Sequence, residues 1–181
     1  MSEVARVLLT GPPGVGKTTL TLNVVDILRS RGEALAGFTT SEIRRGGRRT
    51  GFTIAGLGGL ARTLALRGAS GPRVGSYGVD VDAFEEVALL ELQNGLELGS
   101  TLVVDEIGKM ELLSEAFREL LPDVFSAPRV VATVHAHREA LTDELKQRPD
   151  VHLLKVQRGN RDEQARFVAS LVVEPAPADV G

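Results

Sequence analysis

Five short apolar runs rich in β-branched residues punctuate the chain, at Val4–Thr10, Ala34–Thr40, Thr101–Asp105, Arg129–Val134 and Val151–Val156. Each is too short for a typical helix and is bounded by turn or charged residues, so each predicts a buried strand. Between them, Lys17–Ser30, Val81–Leu96, Ser114–Ser126, Arg138–Gln147 and Asn160–Val172 repeat apolar residues every three or four positions, the spacing of amphipathic helices. Strands alternating with helices predict an α/β fold, a mostly parallel five-stranded core sheet with helices on both faces.

One stretch, Glu42 to Gly78, breaks the alternation; it is rich in glycine and carries Arg44, Arg45, Arg48 and Arg49 around Gly46-Gly47. The paired glycines predict a hairpin turn. The remainder reads as an irregular excursion with some strand character over one edge of the sheet, and long irregular segments in compact domains are often functional. The Pro/Ala-rich end Glu174–Gly181 predicts a disordered tail, leaving residues 1–173 as one domain.

Composition narrows the function classes. The chain has 181 residues, 43% hydrophobic and 25% charged, enough for one well-buried core. A net charge of -3 offers no broad cationic field for a nucleic-acid backbone, so nucleic acid is not expected as a partner. Without cysteine there is no disulfide framework and no thiolate metal site. No secretory signal is evident at Met1 to Ala5 and no apolar run approaches the roughly 20 residues that span a bilayer, so a soluble cytoplasmic protein without membrane association is expected. Nothing in the composition points to a protein partner. Only four residues are lysines, which gives weight to a lysine that falls inside a motif.

Lys17 is such a residue. Directly after the first apolar run, Gly11, Gly16, Lys17 and Thr18 satisfy G-x-x-x-x-G-K-[ST] in a strand-then-helix setting. In such a phosphate loop the chain wraps with its N–H groups inward and the following helix presents its positive end, so Gly11, Pro12, Pro13, Gly14, Val15, Gly16, Lys17, Thr18 and Thr19 are candidate nucleotide-binding residues. Lys17 would reach the β and γ phosphates, and the Thr18 hydroxyl would ligate Mg2+. A dinucleotide loop needs G-x-G-x-x-G and small residues where Lys17 and Thr18 stand, which excludes that reading.

A second motif closes the third run, Leu102, Val103, Val104, Asp105, Glu106, Ile107, Gly108 and Lys109, in which two carboxylates lie at the carboxyl edge where open parallel sheets bind ligands. Asp105 is the candidate to hold Mg2+ through its water shell, and Glu106 to orient and deprotonate an attacking water. A strand-end acid that caps the next helix is the bland alternative. Asp105-Glu106-Ile107-Gly108 also matches D-x-x-G of GTPases, but no [NT]-K-x-D follows, which argues against a GTP-only switch.

The blocks GPPGVGKTTL, GFTTSEIR, RRTGFTI, VGSYGVDVDAFE, VVDEIGKMELLSEAFR, VVATVH and GNRDE together resemble the THEP1-type nucleoside-triphosphatases, over about Val4 to Val172 and in that family's order. The resemblance implies a P-loop NTPase fold with a further strand between the acidic strand and the phosphate-loop strand. It also implies hydrolysis of ATP, GTP and other nucleoside triphosphates to the diphosphate. Arg44 and Arg49 stand where it places recurrent arginines, candidates to meet the γ phosphate, although a solvated hairpin explains them equally well. Lys109 and Glu111 belong to the GKME block, and the lysine could face phosphate or pair with a carboxylate. Thr133 could sense the γ phosphate or be a plain strand-end threonine.

His135 and His137 lie two apart, but no third ligand is evident nearby and Mg2+ prefers oxygen. The resembled family has a proline-containing segment there, so VHAH departs from it. Tyr77 could stack on a base or cover the core. Gly159, Asn160, Arg161 and Asp162 could border the base, with Asn160 equally suited to cap a helix. Two other functions stay open on sequence: a small-molecule kinase of the same fold, and a slow nucleotide-dependent regulator acting through a partner.

Overall fold

The computed structural model describes residues 4–173, so the expected tail Glu174–Gly181 lies outside the described residues. Strand β1 (Ala5–Thr10) alternates its apolar side chains, Val7 and Leu9 joining one core and Leu8 the other. It leads through the phosphate loop into helix α1 (Lys17–Ser30). Strand β2 (Leu35–Arg45) then pairs in parallel with β7 (Thr101–Ile107), which follows helix α2 (Val81–Leu98). Helix α3 (Glu115–Val124), strand β8 (Arg129–Val134), helix α4 (Ala140–Gln147), strand β9 (His152–Lys155) and helix α5 (Arg161–Val172) complete the alternation.

The five parallel strands run β2-β7-β8-β1-β9, and β8 is the strand implied between the acidic strand and the phosphate-loop strand. Helices α1 and α5 bury Leu20, Val24, Leu28, Ala165, Val168 and Val172 with Val7, Leu9 and Val131 of one sheet face. On the other face α2 and α3 meet Leu8, Leu102, Val104, Val130 and Ala132. There Phe38, Phe84 and Phe117 form a triad of edge-to-face rings 5.2–5.9 Å apart, each ring fully buried. The predicted three-layer α/β architecture is therefore present. No helix among the described residues is long and apolar enough to cross a membrane.

The excursion is more regular than its glycine content suggests. Strand β2 continues to Arg45, turns through Gly46-Gly47 (φ 56° and 76°) and returns as β3 (Arg48–Gly56), so the predicted hairpin exists. Beyond it β4 (Ala61–Arg67), β5 (Arg73–Val74) and β6 (Tyr77–Val79) extend the same sheet antiparallel, giving nine strands in all. An irregular segment here would leave the edge of β2 with unpaired N–H and C=O groups, a cost that sheet extension removes. Smaller differences concern element ends. Strand β7 runs on to Ile107, which places Glu106 inside the strand. Asn160 stands at the start of α5 without a side-chain cap bond, and its Nδ2 donates to Glu163 Oε2 at 2.6 Å.

Glycine is required where β2 crosses the acidic strand. Gly37 has φ 123°, and a Cβ there would collide with the Val103 carbonyl oxygen. Its N–H also donates to Glu91 Oε2 (3.3 Å), whose Oε1 accepts from Gly58 N–H (2.9 Å), so α2 clamps β2 to the turn after β3. Gly37→Ala is expected to destabilise the protein by about 3 kcal/mol, measured as a lower urea midpoint, through strain and a disrupted β2–β7 pair. A loss below about 0.5 kcal/mol, the ordinary range of surface substitutions, would show that the close approach is not a constraint.

Candidate active site

The phosphate loop turns through Gly14 and Gly16, with φ 74° and 106°, a region that L side chains avoid. Val15 N–H donates to Pro12 O (3.2 Å), and Leu20 N–H to Gly16 O (2.9 Å) starts α1. Pro12, Pro13, Gly14 and Thr19 are exposed at the rim while Gly11 and Val15 are buried. The first amides of α1 have no helical acceptor, and no acidic side chain occurs within that first turn, so the loop presents free donors.

Lys17 is buried, 9% exposed, with its Nζ donating to Gly11 O at 2.9 Å and lying 3.4 Å from Glu106 Oε2. Loop and acidic strand therefore meet through one ammonium, although β8 separates their strands. Leu102, Val103, Val104 and Ile107 are fully buried, and the apolar strand they build carries Asp105 and Glu106 to this edge. The Asp105–Glu106 peptide is cis.

Asp105 is fully buried. Its Oδ1 accepts from the Thr133 hydroxyl at 2.6 Å, and Oδ2 has no hydrogen-bond partner among the described residues. Burial pushes its pKa up to about 6; Thr133, the Thr18 hydroxyl and the Thr40 backbone N–H favour the charged form, and the Glu106 carboxylate opposes it. A buried carboxylate with an orphan oxygen is costly unless a cation meets it. Hard divalent cations take oxygen ligands, and Oδ2 with the adjacent Thr18 hydroxyl is such a donor pair, so these residues fit a divalent metal.

A third carboxyl lies behind this pair. Glu111, in the 3₁₀ turn Glu111–Leu113, is 5% exposed, and burial first, then the Glu106 carboxylate, raises its pKa to about 8. Glu106 and Glu111 flank Gly108, where a Cβ would come within 2.7 Å of Glu106 Oε1 and 3.0 Å of Glu111 Oε2. Lys109 is exposed and makes no ion pair or hydrogen bond among the described residues.

Arg44 and Arg49 do not join the loop in this structure. Arg44 Nε donates to Glu42 Oε2 (2.8 Å), while Arg49 donates to Glu42 Oε1 (2.8 Å) and to the Tyr77 hydroxyl (3.2 Å). Glu42 thus orders both arginines, and its two-residue spacing from Arg44 along a strand places the two on one face. Tyr77 packs its ring edge-on to Phe52 at 5.2 Å and covers the core. The Thr133 hydroxyl is committed to Asp105. His135 is buried against Thr142 (Nε2 to Oγ1 3.5 Å), its ring 5.6 Å from that of the exposed His137.

Residues 6–169 match the family model described as NTPase. The chain is 41% identical over 172 residues to the cancer-related nucleoside-triphosphatase homolog of Bos taurus, covering 87% of this chain and 90% of that protein. It is 40% identical to the nucleoside-triphosphatase THEP1 of Methanopyrus kandleri, covering 93% and 96%. The crystal structure of THEP1 from Aquifex aeolicus superposes with a TM-score of 0.81 at 35% identity, covering 92% of this chain and 98% of that one. The fold is thus that of the P-loop NTPases, as the sequence resemblance implied.

Glu111 yields a pH prediction. Its folded pKa, about 8, lies above the ordinary 4.5, so the folded protein keeps a proton that the unfolded chain releases. That contribution to stability is complete below about pH 4.5 and is lost as pH rises through 8. Between pH 5.5 and 8.5, wild-type protein should lose about 3 kcal/mol more unfolding free energy than Glu111→Gln, which cannot ionise. Equal losses in urea titrations at the two pH values would contradict the buried, protonated carboxyl.

Proposed function

This chain belongs to the NTPase family, and from that premise we propose that it is a Mg2+-dependent hydrolase of nucleoside 5'-triphosphates with broad base tolerance. The observation that carries this reading is the meeting of Lys17 Nζ with Glu106 Oε2 at 3.4 Å, beside the orphan oxygen of Asp105. A cation, a carboxylate placed to accept a proton and a metal-binding carboxylate converge where a γ phosphate held by the loop would lie.

Loop amides from Gly14 to Thr19 hold the phosphates, and the Lys17 ammonium exchanges Glu106 for β and γ oxygens. That exchange frees the Glu106 carboxylate to take a proton from a water aligned on the γ phosphorus. The new bond joins water oxygen to phosphorus, the β,γ bridge breaks on the far side, and the diphosphate leaves with the bridging electrons. Thr18 and Asp105 would hold Mg2+, which would supply neutralisation of phosphate charge when bound. Arg44 or Arg49 adds positive charge to the γ phosphate when the β2–β3 hairpin closes and Glu42 lets one of them go. Lys109, exposed beside the acidic pair, adds a further cation at the mouth.

Phosphate release from ATP, GTP, CTP and UTP, with Mg2+ and with EDTA, tests the reading. All four should be turned over only with metal, and Glu106→Gln should lower turnover by about 100-fold or more while retaining affinity for a non-hydrolysable triphosphate. Near-normal turnover in the variant would remove Glu106 from the role. Release that appears only with an added phosphoryl acceptor would make the protein a kinase instead.

A further inference from the structure

The strand order fixes which way a bound triphosphate runs. Strand β1 has β8, and beyond it the acidic strand β7, on one side, and β9 on the other. A γ phosphate at Lys17 and Glu106 therefore sends the nucleoside end toward β9 and the start of α5. There Val156 N–H donates to Thr10 O (2.8 Å), and a Cβ at Gly11 would lie 3.8 Å from that of Val156. The chain after β9 thus borders the phosphate loop, turns at Gly159 (φ 99°) and enters α5, which Ala165, Val168 and Val172 anchor on Leu20, Val24 and Leu28 of α1.

This anchoring lays Arg161 on the loop. A Cβ at Gly16 would come within 2.9 Å of its Nε, 3.1 Å of Cζ and 3.3 Å of an Nη atom, and such near-equal distances mean that the guanidinium plane lies across the glycine rather than end-on. Arg161 makes no ion pair or hydrogen bond among the described residues, although Asp162 and Glu163 adjoin it. It lines a cleft of about 550 Å³ together with Thr19, Asn23, Gly159, Asn160 and Arg166. The Asn160 amide, suited to reading a base edge, is taken by Glu163.

We propose that Arg161 is the platform on which the nucleobase rests, guanidinium plane against ring face. Such stacking accepts every base, because purines and pyrimidines alike offer a π face. The proposal rests on the nucleoside-triphosphatase reading of the same site and names the residue through which base tolerance arises.

Steady-state hydrolysis of ATP, GTP, CTP and UTP by wild type, Arg161→Ala and Arg161→Lys, with inorganic tripolyphosphate as competitive inhibitor, tests it. Arg161→Ala should raise KM for all four substrates roughly tenfold and leave inhibition by baseless tripolyphosphate at its wild-type value. Arg161→Lys, which keeps the charge and loses the plane, should not restore KM. An equal loss of tripolyphosphate affinity, or full rescue by lysine, would make Arg161 a phosphate contact and overturn the stacking. Unchanged KM in Arg161→Ala would also overturn it while leaving the hydrolase reading intact. Wild-type protein that hydrolyses none of the four would overturn that reading and this proposal together.

Discussion

A buried ammonium needs compensating partners, and Lys17 finds them in the Gly11 carbonyl and the Glu106 carboxylate. Because Lys17 begins α1 and Glu106 lies on β7, that contact requires the phosphate loop and the acidic strand to end at the same edge, in register across β8. Most of the core serves this requirement. Val103 and Val131 are paired between β7 and β8, and Val131 and Val7 between β8 and β1, so a displacement of any one strand would separate cation from carboxylate.

Charge around this pair is crowded. The Glu106 carboxylate disfavours ionisation of both Asp105 and Glu111, and Asp105 adds to the effect on Glu111. Two responses are visible. Burial keeps a proton on Glu111 near neutral pH, and Asp105 retains an orphan oxygen for a cation not supplied by the chain. On the hairpin, Glu42 pairs with both Arg44 and Arg49. These arginine pairs are partly solvent-exposed, so each is held weakly and can be exchanged at small cost.

What could be read from sequence was local. The phosphate loop, the acidic pair, the Gly46-Gly47 turn and the alternation of elements each depend on residues a few positions apart, and each appears where the chain predicts it. The order of strands was legible only through family resemblance. Strands β4 to β6 were hidden because glycines such as Gly78, which makes room for neighbouring backbone, read in isolation as loop residues. Arg161 illustrates the same limit: its approach to Gly16 depends on β9 returning beside β1, 145 positions along the chain, and no local pattern encodes it.

The central claim is that Lys17 exists to hold phosphate, and that its contact with Glu106 stands in for a substrate. Isothermal titration of Lys17→Ala with a non-hydrolysable nucleoside triphosphate and Mg2+ tests it directly. The ammonium contributes a charge-assisted bond and little apolar packing, so the variant should fold with a wild-type circular dichroism spectrum and lose tight binding, about 100-fold in affinity. A folded variant that binds the triphosphate as tightly as wild type would contradict the claim.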